Sequence, residues 1–169
     1  GGDVRILDTR AEHITPVIPV FEQAGCKVDC GENSVHILAP VRLRSVQTVR
    51  TMPYPGFPTD SQAAVMAMLS VAHGTSVMIE NIFENRYKYV NELLRMGANI
   101  TIEGKTAIIQ GVDKLNAAKL EAKDLRGGAA LIEAALTSEG ESEITGINYI
   151  ERGYENIVQK LTSIGAIIN

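Results

Sequence analysis

A single acid follows an unusually rigid stretch of the sequence. Residues 51–60 read Thr-Met-Pro-Tyr-Pro-Gly-Phe-Pro-Thr-Asp and lead into an apolar segment. Prolines and a glycine at this density do not continue a helix or a central strand, so the stretch is predicted to be an extended loop. Thr59 and Gln62 have the spacing of a capping box, which predicts that a helix begins there. Asp60 then lies in the first helical turn, where it either helps to start the helix or serves as a fixed general base.

Arginines are the other candidates for chemistry. Arg86 and Arg152 each precede a predicted helix, and Arg126 follows Asp124 at the start of another. An arginine at a helix N-terminus has the wrong sign for the helix dipole, so its presence there favours a bound carboxylate or phosphate. The alternatives are that the arginines are solvated or that glutamates just before them in the sequence neutralise them, namely Glu84 and Glu151.

Cysteines and histidines form no recognisable site. Cys26 and Cys30 flank a predicted strand with no nearby histidine pair, so we interpret them as structural thiols rather than zinc ligands. The histidines share no spacing with an acid or a cysteine that would indicate a triad, and we interpret them as surface or strand residues: His13, His36 and His73. No phosphate-loop or dinucleotide glycine pattern is present. We therefore expect neither a metal nor a cofactor.

The composition is that of an ordinary globular protein. Apolar residues make up 45% of the 169 residues and charged residues 21%, which predicts a single domain with a substantial core. A net charge of −4 and the absence of tryptophan argue against a nucleic-acid partner. No apolar run approaches the roughly 18–20 residues of a membrane span, and the first residues lack the layout of a signal peptide. We expect a cytosolic protein without a membrane partner.

Apolar periodicity, together with glycines and prolines, predicts an alternation of helices and strands. In chain order we expect a helix from Thr15 to about 24, strands over 26–30 and 34–38, a helix over 59–72, a strand over 76–80, a helix between 86 and 97, strands over 99–103 and 107–110, a strand over 120–123, a helix over 124–136, a strand over 142–144 and a helix between 151 and 165.

The predicted elements repeat along the chain. Gly25, Gly97 and Gly165 end similar segments roughly 70 residues apart, a spacing too long for common solenoid repeats. Each unit reads β-α-β-α-β-β, with units at about 1–50, 51–113 and 114–169, so the fold class is α+β in two layers with internal duplication. The first unit lacks its opening half and the third lacks its final hairpin. We therefore expect a piece of a longer chain.

Four blocks of sequence resemble one enzyme family. They are residues 53–60 (Pro-Tyr-Pro-Gly-Phe-Pro-Thr-Asp), 83–86 (Phe-Glu-Asn-Arg), 124–130 (Asp-Leu-Arg-Gly-Gly-Ala-Ala) and 151–155 (Glu-Arg-Gly-Tyr-Glu). In this order they are similar to the carboxy-terminal portion of the UDP-N-acetylglucosamine enolpyruvyl transferases. That family moves enolpyruvate from phosphoenolpyruvate to the 3-hydroxyl of UDP-N-acetylglucosamine in peptidoglycan synthesis. The resemblance implies two domains, each an inside-out barrel of three units with helices inside and sheets outside, and a site in the cleft between them.

The resemblance also implies roles for individual residues. Asp60 would be the carboxylate at the sugar hydroxyl, as base or orienting group, and Ile82 would line the nucleotide-sugar pocket through its backbone. Arg86 and Arg152 would approach phosphoenolpyruvate and the tetrahedral intermediate. Two further residues would hold the cleft wall, namely Asp124 and Arg126.

Other parts of the family's site have no counterpart in this chain. These are a cysteine on a mobile loop, a lysine–asparagine pair and much of the uridine site, and neither Cys26 nor Cys30 matches that loop. We therefore expect that the amino-terminal domain of the same enzyme is missing here and that the isolated chain gives no turnover. Two alternatives stay open: a shikimate-pathway enolpyruvyl transferase, and a non-catalytic binding or structural module of the same fold.

Overall fold

The computed structural model describes residues 2–168, in which helices pack against three small sheets. The elements are β1 (Gly2–Leu7), α1 (Ile18–Gln23), β2 (Lys27–Cys30), β3 (Ser34–Ala39), β4 (Thr48–Arg50), α2 (Gln62–Leu69), β5 (Thr75–Ile79), α3 (Val90–Arg95), β6 (Asn99–Glu103), β7 (Thr106–Gln110), β8 (Lys119–Glu121), α4 (Leu125–Thr137), β9 (Glu143–Thr145), α5 (Ile147–Glu151) and α6 (Ile157–Ser163). None of these helices is long and apolar enough to cross a membrane.

The second sheet shows the whole repeat. Its strand order is β4-β5-β7-β6, with β4 parallel to β5 and the β6–β7 hairpin antiparallel to β5. The helices α2 and α3 connect β4 to β5 and β5 to β6, so the unit reads β-α-β-α-β-β as predicted. The first sheet, β1-β3-β2, repeats the antiparallel part, and the parallel pair β8–β9 repeats the opening part. This arrangement confirms the α+β prediction.

The glycines that mark the repeat are needed for their backbone conformation. Gly25, Gly97 and Gly165 each lie two residues after the last residue of a helix, with φ angles of 97°, 88° and 103°. Residues with a Cβ rarely adopt this left-handed region, which is why glycine is favoured where a helix ends in this way. The sequence prediction of these three helix ends is confirmed.

The core lies between the helices and the inner faces of the sheets. Helix α2 is buried on nearly every side, with Met66 and Leu69 at most 1% exposed, and it packs against α4. Strand residues such as Met78 and Ile109 are fully buried in the same cluster, whereas Ile102 and Ile108 on the same sheet are more than a third exposed. The second sheet therefore turns one face toward the helices and the other toward solvent.

Two predicted helix caps are wrong. Residues 59–61 form a 3₁₀ turn, and the Thr59 hydroxyl donates to a carboxylate of another segment instead of capping α2. The Gln62 side chain is fully buried, and its Oε1 accepts a hydrogen bond from the hydroxyl of Tyr89.

Thr15 was the other predicted cap. Its hydroxyl donates to the backbone carbonyls of Ala11 and Glu12, which precede it, so it does not cap α1, which begins at Ile18. The side chains of Thr15, Thr59 and Gln62 each form hydrogen bonds with groups other than the free N–H groups of the helix start, and the capping pattern alone does not predict those partners.

The placement of two arginines relative to the helices was also predicted wrongly. Arg86 lies four residues before α3, in an irregular segment, and Arg152 follows the last residue of α5. A cation at the C-terminal end of a helix is favourable, so the dipole argument does not apply to Arg152. Strand β1 was not predicted, although polar and apolar residues alternate from Asp3 to Ile6, and all its residues are exposed.

Candidate functional site

Asp60 joins two arginines that come from different repeat units. Its Oδ1 accepts a hydrogen bond from Arg86 Nη2 at 3.0 Å, and its Oδ2 accepts one from Arg126 Nη2 at 2.7 Å. Arg86 belongs to the second unit and Arg126 to the first turn of α4 in the third. A carboxylate that accepts one charge-assisted bond on each oxygen is held in a defined orientation. The structure therefore brings together three of the predicted site residues.

Aromatic rings support both guanidinium groups. Arg86 lies over the ring of Phe83 at 5.2 Å from its centre, and Arg126 lies over the ring of Tyr154 at 5.5 Å. Arg126 also donates a hydrogen bond to the Tyr154 hydroxyl at 3.2 Å. A cation–π contact restricts a long side chain but leaves the in-plane N–H donors of the guanidinium available for hydrogen bonds. Both arginines are thus positioned while they keep donors for an additional anion.

The charges of this group are mutually stabilised. The hydrogen bond and the positive charge of Arg126, together with Arg86, hold the pKa of Asp60 below its usual value. The same hydrogen bond, which Arg126 donates and Asp60 accepts, raises the pKa of Arg126. Asp60 is therefore ionised at neutral pH, and it is a weaker base in this arrangement than a free aspartate would be.

Asp124 begins the helix that carries Arg126. Its backbone is extended, and its Oδ1 accepts a hydrogen bond from the Gly127 N–H at 2.7 Å. This is an N-cap, which satisfies one of the free donors of the first helical turn. The predicted start of a helix at Asp124 is confirmed. Its side chain holds the first turn of α4 and thereby sets the position of Arg126.

A buried glutamate that directly follows β5 connects two segments of the site, and the sequence did not predict its role. Glu80 is 1% exposed and accepts hydrogen bonds from the hydroxyls of Thr51 and Thr59, each at 2.9 Å. It also accepts from the backbone N–H groups of Ile82 at 2.8 Å and Phe83 at 3.1 Å. The available signal was an acid that directly follows a predicted strand.

Ile82 and Arg152, the two remaining predicted site residues, lie outside the ion-pair network that Asp60 forms with Arg86 and Arg126. Ile82 lies two residues after Glu80 and is 37% exposed. Arg152 is exposed in the turn between α5 and α6, in the same segment as Tyr154. Among the contacts of residues 2–168, no ion pair or hydrogen bond joins the Arg152 side chain to Glu151 or Asp60, and Arg86 pairs with Asp60 rather than Glu84. Of the two alternatives given for these arginines, pairing with the preceding glutamates is therefore wrong.

The cysteines and histidines show no features of a reactive or metal-binding site. Burial raises the pKa of the Cys26 thiol, which keeps it neutral, and Cys30 is exposed at the end of β2. His36 on β3 pairs with Asp3 on β1 across the first sheet, with Nε2 and Oδ1 at 2.6 Å. In the part of the chain that the structure describes, no three acids, cysteines or histidines are grouped so that they could hold a metal ion.

Comparison with known proteins identifies the family. The family model of EPSP synthase (3-phosphoshikimate 1-carboxyvinyltransferase) matches residues 1–161. The chain belongs to the EPSP synthase family of enolpyruvyl transferases. Two solved structures share the fold of this chain over 99% of its length and 40% of their own: the enolpyruvyl transferase NikO from Streptomyces tendae, at 24% identity and a TM-score of 0.89, and EPSP synthase from Acinetobacter baumannii, at 19% identity and a TM-score of 0.71.

Curated relatives within this enolpyruvyl transferase family have higher sequence identity. UDP-N-acetylglucosamine 1-carboxyvinyltransferase from Thermodesulfovibrio yellowstonii is 49% identical over 168 residues, and a second one from Caldanaerobacter subterraneus is 45% identical over 167. Each match covers 99% of this chain and 40% of the relative. A relative of the same name from Desulfofundulus thermocisternus is 48% identical, with 68% of its length covered. The chain therefore spans about 40% of the length of the first two relatives.

Proposed function

We propose that this chain forms the carboxy-terminal part of a transferase that moves enolpyruvate from phosphoenolpyruvate to the 3-hydroxyl of UDP-N-acetylglucosamine, a step of peptidoglycan synthesis. The observation that carries this proposal is the identity of 43–49% to relatives named for that activity, over 98–99% of the chain. An amino-terminal domain of the same enzyme would supply the other wall of the cleft, because the chain spans about 40% of most of these relatives.

In this proposal Asp60 binds the acceptor hydroxyl. The hydroxyl loses a proton as its oxygen attacks C2 of phosphoenolpyruvate, while C3 gains a proton. The C–O bond to phosphate then breaks as C3 loses a proton, which restores the double bond between C2 and C3. A carboxylate fixed by Arg86 and Arg126 accepts the hydroxyl's hydrogen bond in a set direction, which supports an orienting role. Its lowered pKa makes it a poor proton acceptor until an anionic substrate draws the arginines away.

The arginines would hold the anionic groups of the substrates. Phosphoenolpyruvate carries a phosphate and a carboxylate, and charge also develops on the tetrahedral intermediate. Arg86 and Arg126 keep guanidinium donors beside Asp60, and Arg152 is exposed without an acid partner in the described chain. Fixed cations at such positions stabilise a developing negative charge because they need no reorganisation during the reaction. Asp124 would position Arg126, and the Ile82 backbone would face the nucleotide sugar.

A fusion enzyme tests the function. The corresponding 40% of the Thermodesulfovibrio relative would be replaced by this chain, and phosphate release from phosphoenolpyruvate would be measured with UDP-N-acetylglucosamine as acceptor. We expect release with this acceptor, none with shikimate 3-phosphate, and none from the isolated chain with either. A folded fusion that is inactive with UDP-N-acetylglucosamine, or that prefers shikimate 3-phosphate, would contradict the proposal.

A matched pair of arginine variants tests the anion site within that fusion. Arg152→Ala should lower kcat/KM for phosphoenolpyruvate by about 10²-fold or more, since it removes a cation at the developing charge. Arg10→Ala removes an exposed arginine of the first unit and should leave kcat/KM within about twofold. Equal losses in the two variants would show that Arg152 contributes only to the net charge.

A further inference from the structure

We infer that Glu80 is a positioning residue for the nucleotide-sugar side of the site, an inference that rests on the proposed function. Its carboxylate is buried, and burying a charge in a protein is costly unless hydrogen bonds satisfy it. Four donors converge on it within 3.1 Å. All four belong to the two segments that carry predicted site residues.

The first segment is the proline-rich loop that precedes Asp60. Thr51 begins this loop and donates to Oε1 of Glu80, while Thr59 ends it and donates to Oε2. Both ends of the loop are therefore tied to one carboxylate. Thr59 is the residue immediately before Asp60, so the bond to Glu80 restrains the backbone from which the Asp60 side chain projects.

The second segment is the backbone after β5. Oε1 of Glu80 accepts from the N–H groups of Ile82 and Phe83, which bends the chain back over the carboxylate. Phe83 in turn carries Arg86 on its ring. The Asn81 N–H donates to the Thr51 hydroxyl at 2.8 Å, which joins the two segments directly. One buried group thus sets the spacing between Asp60 and the 82–83 backbone.

A second buried carboxylate provides the matched control. Glu92 on α3 is 3% exposed and accepts hydrogen bonds from Arg95 at 3.0 Å and from the Glu121 N–H at 3.2 Å. Its partners join α3 to β8 and include none of the predicted site residues. A general effect of disturbing a buried carboxylate should therefore appear in both Glu80→Gln and Glu92→Gln, whereas a positioning effect should appear only in the former.

The kinetic test uses the fusion enzyme. Glu80→Gln should raise KM for UDP-N-acetylglucosamine at least about tenfold, because displacing groups that hold a substrate by a fraction of an ångström is costly. KM for phosphoenolpyruvate should rise less than KM for UDP-N-acetylglucosamine, since Arg126 and Arg152 do not contact Glu80 and only Arg86 is linked to it, through Phe83. Glu92→Gln should leave both values within about twofold. Thr59→Val should reproduce the rise, and Thr59→Ser, which keeps the hydroxyl, should restore the parent value.

A substrate-free measurement separates this inference from the proposed function. In this chain alone, hydrogen exchange at the Ile82 and Phe83 amides should accelerate at least about tenfold in Glu80→Gln and remain unchanged in Glu92→Gln. Unchanged exchange at both amides in Glu80→Gln would overturn the inference, as would equal KM changes in Glu80→Gln and Glu92→Gln. Absence of turnover in the unmodified fusion would overturn the proposed function, while the exchange result would still decide whether Glu80 holds these amides.

Discussion

Asp60 is restrained by the same groups that weaken its basicity. Its two oxygens are bound by arginines, and those bonds lower its pKa. An acid at the start of a helix is common, and the sequence could only show that the position was favourable for a carboxylate. The two arginine partners make Asp60 an ordered hydrogen-bond acceptor rather than a free base, so proton removal by Asp60 would require movement of Arg86 or Arg126.

The pairing predicts how stability depends on pH. A carboxyl group whose pKa is lowered in the folded state stabilises the protein above its unfolded pKa, near 3.8, and this contribution is lost as pH falls through the folded value. Asp60→Asn should therefore reduce the free energy of unfolding at pH 7 by at most about 1 kcal/mol, since the side chain is half exposed and the pairs are screened by solvent.

Urea unfolding at pH 7, 5 and 3 checks this expectation. The difference between the parent chain and Asp60→Asn should shrink as pH falls from 5 to 3, and 1 M NaCl at pH 7 should also reduce it. Glu32→Gln, at an exposed acid in the turn between β2 and β3, is the control. A difference that stays constant from pH 7 to pH 3 would show that the ion pairs do not contribute to stability.

Among the elements, the junctions between strands and helices are the most constrained parts of the structure. Gly111 follows β7 and lies against the end of α2, where its N–H donates to the Gly74 carbonyl at 3.0 Å and the next N–H, of Val112, donates to Ser70 at 2.9 Å. A Cβ added at Gly111 would overlap the carbonyl group of Ala72. The close approach of two backbone segments, rather than an unusual φ angle, therefore requires glycine here.

The substitution Gly111→Ala should accordingly be strongly destabilising. Because the overlapping atoms belong to the backbone, relief requires that the segment after β7 and the segment after α2 move apart, and we expect a loss of about 2 kcal/mol or more. Gly2→Ala is the control, since a Cβ there meets open space and the expected change is within about 0.5 kcal/mol. Thermal unfolding followed by circular dichroism measures both, and similar melting temperatures for the two variants would contradict the structural explanation.

On the scale of the whole molecule, internal duplication places equivalent helix starts side by side. Helices α2 and α4 are the first helices of successive units, and they pack against each other. Their N-terminal ends carry Asp60 and Asp124 with Arg126, and the contact from Asp60 to Arg126 spans 66 residues of sequence. The charge network is therefore a consequence of how two units pack.

The third unit leaves apolar side chains exposed. Ile147, Val158 and Ile167 line one surface pocket and are 39%, 41% and 90% exposed, and Ile164, three residues before Ile167, is 72% exposed. A cluster of this kind favours association in water. We therefore expect this chain to self-associate at concentrations of about 100 μM, and the double variant Ile164→Lys/Ile167→Lys to reduce this association.

Sedimentation velocity over a range of concentrations measures the effect. Leu94→Lys, at a 42%-exposed leucine on α3, adds a positive charge outside that segment and serves as the control. The sedimentation coefficient of the parent chain and of Leu94→Lys should rise with concentration, whereas that of the double variant should stay constant. A parent chain that remains monomeric throughout would contradict the prediction.

Several features of the fold and site follow from the sequence alone. The repeat, the glycine-terminated helices and the start of α4 at Asp124 depend on local chemistry, that is, on backbone conformation, apolar periodicity and a side chain that bonds to its own helix. The extended proline loop and the family resemblance likewise rest on short contiguous stretches. These features could be predicted because the residues responsible are close together in the chain.

Only the tertiary structure determined which groups meet across the chain. Thr59 and Gln62 fit a capping box, yet Thr59 bonds to Glu80 and Gln62 to Tyr89, because partners brought close by packing competed with the local pattern. The same reason explains why Glu80 was missed and why Arg86 and Arg126 were not paired with Asp60 in advance. Hydrogen bonds between residues 21 to 66 positions apart depend on how whole units pack, and that packing is not encoded in any one stretch of sequence.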